Sequence, residues 1–264
     1  VRPILFSIGQ FDFVVSPIFA GLGALLAFYY CWRQRAHLQL SEDDFWQLML
    51  WLSAGTFLGG ILLYFFFFGG GVSGNINYML KRHTFRGGAF YGNFWGAFLA
   101  LVLFARVKSA SLPRMADIVG TAAPLALSLS RIGCFLQGCC HGIPTLLPWG
   151  VEFTHPRSSV RKFLLGIPLH PTQIYEMVAA FSVFCTVHFL VLPRIRSKKL
   201  PVGSAFCVSA GAYALLRFGI EFLRGRDRGV FRPLGLSSNQ VFALLSLAAA
   251  VWLYQQWQRK KASA

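Results

Sequence analysis

Seven stretches of this chain are apolar over roughly the 20 residues that a helix needs to cross a hydrocarbon layer. They fall at residues 13–32, 45–68, 87–105, 116–136, 171–192, 202–223 and 239–257. Polar or basic residues close them: Arg33 and Arg35 the first, Arg106 and Lys108 the third, Arg194 and Arg196 the fifth, Arg259 and Lys260 the seventh. The apolar residues come in long runs rather than at the spacing of a one-faced helix, as lipid on most of the helix circumference requires. The pattern predicts an all-α polytopic membrane protein with about seven transmembrane helices around a central polar cavity. It forms one membrane-embedded domain over residues 1–264, with 72–86, 137–169 and 224–238 as extramembrane loops. Residues 1–12 are amphipathic and suit the membrane interface. No cleavable leader is expected, because the first apolar run continues too far.

Seven spans place the two termini on opposite sides. Lys and Arg divide almost equally between the two sets of loops, so the positive-inside rule is nearly silent. The basic residues after the first, third, fifth and seventh spans sit tightly at span ends, as topogenic charges do. This favours an outside N-terminus and a cytoplasmic C-terminus.

Composition sharpens the picture. The chain is 55% hydrophobic and 13% charged, and a soluble domain carries about twice that charged fraction. Its formal charge is +16, from 25 Lys and Arg against nine Asp and Glu. On a soluble protein this balance would suggest nucleic acid. Here the basic groups lie between apolar spans, so the partner expected is anionic membrane lipid, with no nucleic acid. Cys31, Cys185 and Cys207 fall within apolar runs and read as small core residues. His37, His83, His155 and His188 carry no signal above background.

Four ionisable residues lie in or at the ends of spans: Arg131, Glu176, Arg217 and Glu221. An arginine at mid-membrane costs about 2.5–3.5 kcal/mol on insertion scales. Two readings stay open: an ion pair that locks the fourth, fifth and sixth spans together, or a polar cavity in which two guanidinium forks hold a phosphate. Arg217 and Glu221 share a helix face, and Arg224 extends it toward the surface, where a lipid headgroup would sit. Gly87, Gly88 and Gly92, around Tyr91, open the third span and permit close approach of another helix or of a ligand. Tyr91 adds a hydroxyl. In His170-Pro171-Thr172-Gln173-Ile174-Tyr175-Glu176, Pro171 suits a first helical position, and His170, Gln173 and Glu176 line one face at a span entrance, as cap or as site. Cys134-x4-Cys139-Cys140-His141 raises a metal site or a disulfide. The spacing is not that of a zinc ribbon or finger, so packing residues are the leading reading and no metal is expected.

These residues resemble a known family. Arg131-Ile132-Gly133-x-Phe135-x-x-Gly138-x-x-x-Gly142, the His-Pro-Thr-Gln-Ile-Tyr-Glu run at 170–176 and Arg217-x3-Glu221-x2-Arg224 look like bacterial prolipoprotein diacylglyceryl transferases. The opening Pro3-Ile4-Leu5-Phe6-x-Ile8-Gly9 is similar too, and the likeness covers nearly the whole chain in order. The resemblance implies a seven-helix enzyme of the bacterial inner membrane that needs no cofactor. Its expected reaction transfers diacylglyceryl from phosphatidylglycerol to the thiol of a lipobox cysteine, borne on a prolipoprotein signal peptide, and releases glycerol phosphate.

The resemblance also implies roles. Arg131 matches the family's signature arginine and Arg217 its sixth-span arginine; both would hold the phosphate. Tyr91 would lie by the reacting centre, and Glu221 would orient Arg217. Gly87, Gly88, Gly92, Gly133, Gly142, His141, His170, Gln173, Tyr175, Glu176 and Arg224 would line the substrate site.

Departures stand beside the likeness. Tyr91 replaces a frequent His, Cys134 an Asn, Cys139 a polar group and His141 an aromatic, and Ser16-Pro17 stands for a Tyr-Gly. His141 or Glu221 is then the candidate base. The alternatives are a same-fold transferase with another acceptor and a non-catalytic phospholipid-binding or transport protein. The absence of an internal repeat argues against a transporter.

Overall fold

The computed structural model describes residues 3–8, 11–67, 90–224 and 235–262. Seven long helices occupy the seven apolar stretches: α1 (Val15–Arg33), α2 (Glu42–Phe67), α3 (Phe90–Val107), α4 (Leu112–Gln137), α5 (Thr172–Arg196), α6 (Ser204–Leu223) and α7 (Ser238–Ala262). By length and composition α1, α2, α4, α5 and α6 can each cross a membrane, while the apolar part of α3, Tyr91–Val107, is shorter. Large apolar side chains on these helices face outward, among them Leu50 at 70% exposure and Phe66 at 68%. On a soluble protein such faces would be a liability; in lipid they are the favourable state. The chain is a multi-pass membrane protein.

Local chemistry explains where the helices begin. Residues 42–44, between the first two apolar runs, form the first turn of α2. Glu42, Asp43 and Asp44 lie at the positive end of the helix dipole, and the Asp44 N–H donates to the Ser41 hydroxyl at 3.1 Å. α5 runs on past residue 192, but not as one α-helix. It is α-helical to Thr186, makes one π turn over Val187–Val191, and resumes over Leu192–Arg196. The amphipathic N-terminal residues form an antiparallel hairpin, β1 (Ile4–Ile8) with β2 (Phe11–Val14), that leads into α1.

The chain forms two compact units. Residues 34–116 are one of them. In it α2 and α3 run antiparallel with glycines at the contact: a Cβ at Gly92 would run into the Gly59 carbonyl, and one at Gly96 into that of Gly55. Both helices thus carry a small-x3-small stripe, which lets backbones touch where lipid provides no hydrophobic drive. Lys108 closes the pair with a 2.6 Å ion pair to Asp44.

Residues 1–33 and 117–264 are the other unit. Here α6 packs against α5 and α7. Asp117 fixes the start of α6: its carboxylate accepts the N–H groups of Gly203 (2.6 Å), Ala205 (2.8 Å) and Phe206 (3.1 Å). These are donors that a helix cannot satisfy internally. The segment after α4, expected as a loop, is folded. β3 (Val151–Glu152) pairs with β4 (Pro168–Leu169), and Phe153, Val160 and Leu169 form a small core beneath Phe135. This core sits where α4 ends and α5 begins.

Candidate active site

Three helices bring five charged side chains together at one end of the second unit. α4 supplies Arg131 near its C-terminus and α5 supplies Glu176 in its second turn. α6 supplies Arg217 and Glu221 in its last turns, with Arg224 just beyond. All are buried, Glu176 at 1% exposure.

Glu176 is the hub. Its Oε1 lies 2.8 Å from Arg131 Nη2 and accepts the Tyr213 hydroxyl at 2.5 Å. Its Oε2 lies 3.9 Å from both Arg217 Nη1 and Arg224 Nη1. Arg217 Nη2 is 2.9 Å from Glu221 Oε2. Glu221 Oε1 accepts from the Ser237 hydroxyl at 3.1 Å and from Asn239 Nδ2 at 3.0 Å. The cluster ties three helices together through ion pairs, and it is also unbalanced. Among the described residues it holds three guanidinium groups against two carboxylates. Among the described residues, Arg131 Nε and Arg217 Nη1 are buried donors without a hydrogen-bond acceptor. A net positive charge with orphaned donors, buried in a membrane protein, is a costly arrangement that an anion relieves.

A second layer comes from the turn after α4. Gln173 Nε2 donates to the Cys139 carbonyl at 2.7 Å, and the Thr172 hydroxyl to that of Cys140 at 2.6 Å. Cys134 Sγ lies 3.8 Å from Arg131 Nη1 and 3.9 Å from the Ser16 hydroxyl. The Cys140 thiol is held below the ordinary cysteine range by hydrogen bonds from Cys134 and Cys139 and by the charges of Arg224 and Arg131, against the opposing effect of burial. His141 Nδ1 lies 2.9 Å from the Gly142 carbonyl; a carbonyl only accepts, so Nδ1 carries a proton.

His170 and Tyr175 form a neighbouring group, 3.3 Å apart, in which Trp149 Nε1 donates to the Tyr175 hydroxyl at 2.7 Å. Gly133 abuts Ser16 and Phe19 of α1, and Gly142 abuts His170 and the Leu223 carbonyl. Both are places of close backbone approach. Tyr91 and Gly92 belong to the other unit, where Tyr91 is buried and Gly92 meets α2. Gly87 and Gly88 lie outside the described residues. The sequence reading missed Tyr213, although Tyr213, Arg217 and Glu221 recur every four residues on one face of α6. It also missed Ser237, Asn239 and Asp117.

An apolar cavity of about 330 Å³ opens between α5 and α6, lined by Ala179, Ser182, Val183, Thr186, Val208 and Ala212. Along α5 it begins one turn beyond Glu176.

The model of the prolipoprotein diacylglyceryl transferase family matches residues 3–256. A phosphatidylglycerol–prolipoprotein diacylglyceryl transferase of Geobacter sulfurreducens is 34% identical over 235 residues, covering 86% of this chain and 84% of its own. Its counterpart in Clostridium tetani is 29% identical over 254 residues, covering 96% and 97%. That of Rhodospirillum rubrum is 28% identical over 269 residues, covering 99% and 94%. The chain belongs to the prolipoprotein diacylglyceryl transferase family.

Proposed function

We propose that this protein transfers the diacylglyceryl group of phosphatidylglycerol to the thiol of a lipobox cysteine in a prolipoprotein. The observation that carries the reading is the buried, net-positive arginine cluster with unsatisfied donors on Arg131 and Arg217. In the reaction the acceptor sulfur attacks the glycerol carbon that bears the phosphate ester. A C–S bond forms as the C–O bond breaks, and glycerol phosphate leaves with the electron pair. Arg131 and Arg217 stabilise the charge that grows on the leaving phosphate, which a water-poor site makes most effective. Glu221 orients Arg217 from 2.9 Å, and Arg224 extends the positive wall.

The acceptor thiol must lose its proton to become nucleophilic. His141 takes it, and the family resemblance alone assigns Tyr91 to the reaction. Glu221 is the less available candidate because Arg217, Ser237 and Asn239 already occupy its oxygens. The acyl chains run into the apolar groove between α5 and α6. Gly133, Gly142, His170, Gln173 and Tyr175 shape the walls, and the family resemblance alone adds Gly87, Gly88 and Gly92 to the substrate-binding residues. The protein resides in the bacterial inner membrane with its N-terminus outside, which puts the arginine cluster at the outer end of the bundle, where the acceptor enters.

Purified protein incubated with phosphatidylglycerol and a lipobox peptide gives a thioether-linked diacylglyceryl peptide. No such product at any pH overturns the proposal. The cysteine-rich turn beside Arg131 favours one second reading, the same chemistry on a different acceptor. Unchanged lipoprotein maturation in a deletion strain, with an altered lipid profile by mass spectrometry, supports that second reading over the first. Phospholipid that stays bound and intact on long incubation supports a non-catalytic role.

A further inference from the structure

The mechanism uses none of the three cysteines at the end of α4. None is in a disulfide, and the backbone is built to bring them together. Gly138 N–H donates to the Phe135 carbonyl and Cys139 N–H to that of Cys134, both at 3.1 Å, around a left-handed Gly138 (φ +77°). This is the Schellman helix end, which sets the third residue before the cap against the second after it. Those residues are Cys134 and Cys139. The next residue, Cys140, is itself left-handed (φ +62°), a conformation that costs a residue with a side chain about 1–3 kcal/mol. The bonds from Gln173 and Thr172 hold Cys139 and Cys140 there. The three Sγ atoms lie within 4.8 Å of one another.

From this geometry we infer that Cys134, Cys139 and Cys140 form a three-sulfur binding site for a thiophilic d10 cation. Metal–thiolate bonds of about 2.3 Å place three sulfurs around one ion roughly 3.8–4.0 Å apart, and the sulfurs here all lie within 4.8 Å of one another, so they close by at most about 1 Å. Thiolates select soft ions over hard ones. Among the described residues no carboxylate or imidazole joins the group as a fourth ligand, so the site fits an ion content with three sulfurs. Each thiol that binds releases its proton to solvent. Arg131, 3.8 Å from Cys134 Sγ, offsets the negative charge of the resulting complex. This site stands independently of the transferase reading, since occupancy is measured without turnover.

The test uses the full-length protein in detergent, reduced and metal-stripped, titrated with Cd(II). The expected results are one ion per chain, an ultraviolet sulfur-to-cadmium charge-transfer band, and an X-ray absorption spectrum with three sulfur neighbours. Cys139→Ser and Cys140→Ser each weaken binding by more than about 100-fold, beyond the loss of a merely supporting group. A variant with Cys31, Cys185 and Cys207 all replaced by Ser binds as the wild type does. The spectrum needs no variant, so it decides even where a substitution impairs folding. Fewer than three sulfurs on the ion, or a band that persists in the Cys139→Ser/Cys140→Ser protein, overturns the site. So does a reduced wild type that takes up no Cd(II) and instead joins two of these cysteines in a disulfide under mild oxidation.

Discussion

Replacing Arg131 with Gln separates the cluster's two jobs. Arg131 holds one oxygen of Glu176 at 2.8 Å, while Arg217 and Arg224 stand 3.9 Å from the other. Breaking a buried ion pair costs about 3–5 kcal/mol when it strands the partner's charge. Here Glu176 keeps two guanidinium neighbours and the Tyr213 hydroxyl, so Arg131→Gln falls below that range. It also removes the cluster's excess positive charge. Glu176→Gln does the reverse: three guanidinium groups remain with Glu221 alone, and the cost lies within or above the range. Activity follows the other order. Loss of one preorganised donor to developing charge lowers kcat by about 100- to 1,000-fold, or 2.7–4 kcal/mol. The assay pairs thermal unfolding in detergent with single-turnover transfer from phosphatidylglycerol to a lipobox peptide, both on protein extracted from the membrane. Wild-type turnover in Arg131→Gln would refute the phosphate role. Arg131→Gln losing as much stability as Glu176→Gln would refute the picture of Glu176 as a hub.

Asp117→Asn weakens three charge-assisted bonds at the start of α6 and lowers stability by about 1.5–3 kcal/mol; unfolding measured at constant detergent checks it, and the fraction still folded retains its transfer rate. Gly92→Leu drives a side chain into the Gly59 carbonyl and lowers the yield of monodisperse protein, whereas Gly21→Leu, a site with open space around it, does not. His141→Phe lowers kcat by about 100-fold with KM little changed, the loss typical of a group in proton transfer; an unchanged kcat removes His141 as the base.

The helices were legible because lipid leaves the backbone few options. Seven apolar runs became seven helices within a few residues at most ends. The ionisable residues of the cluster were legible for the same reason, since Arg131, Arg217, Glu176 and Glu221 are anomalies against apolar neighbours. Tyr213 was not, because a lone phenol in an apolar run is unremarkable until its hydroxyl is seen to donate to Glu176. Asp117 was hidden by its position at a span boundary, where a carboxylate looks solvated; its partners are backbone N–H groups 86 to 89 residues away. The folded segment after α4 was read as a loop because its core is only Phe153, Val160 and Leu169, too few and too far apart to make a period. The cysteines drew notice by type, but their meeting depends on two left-handed residues, and spacing alone does not reveal backbone handedness.

The π turn in α5 gives this helix one residue more than a regular α-helix would use, and each residue turns an α-helix by about 100°. Before the turn, Glu176, Ala180 and Val183 are buried on the side that serves the arginine cluster. Within it, His188 reaches the Tyr30 hydroxyl of α1 at 2.8 Å. One helix therefore serves two neighbours from two registers, with the slack between them stored in five residues. A single-residue deletion in this stretch can be absorbed by relaxing the π turn to α. The Tyr30 contact within the turn would be lost while the residues on both sides keep their register, so α5 tolerates a change of length that a regular helix would not.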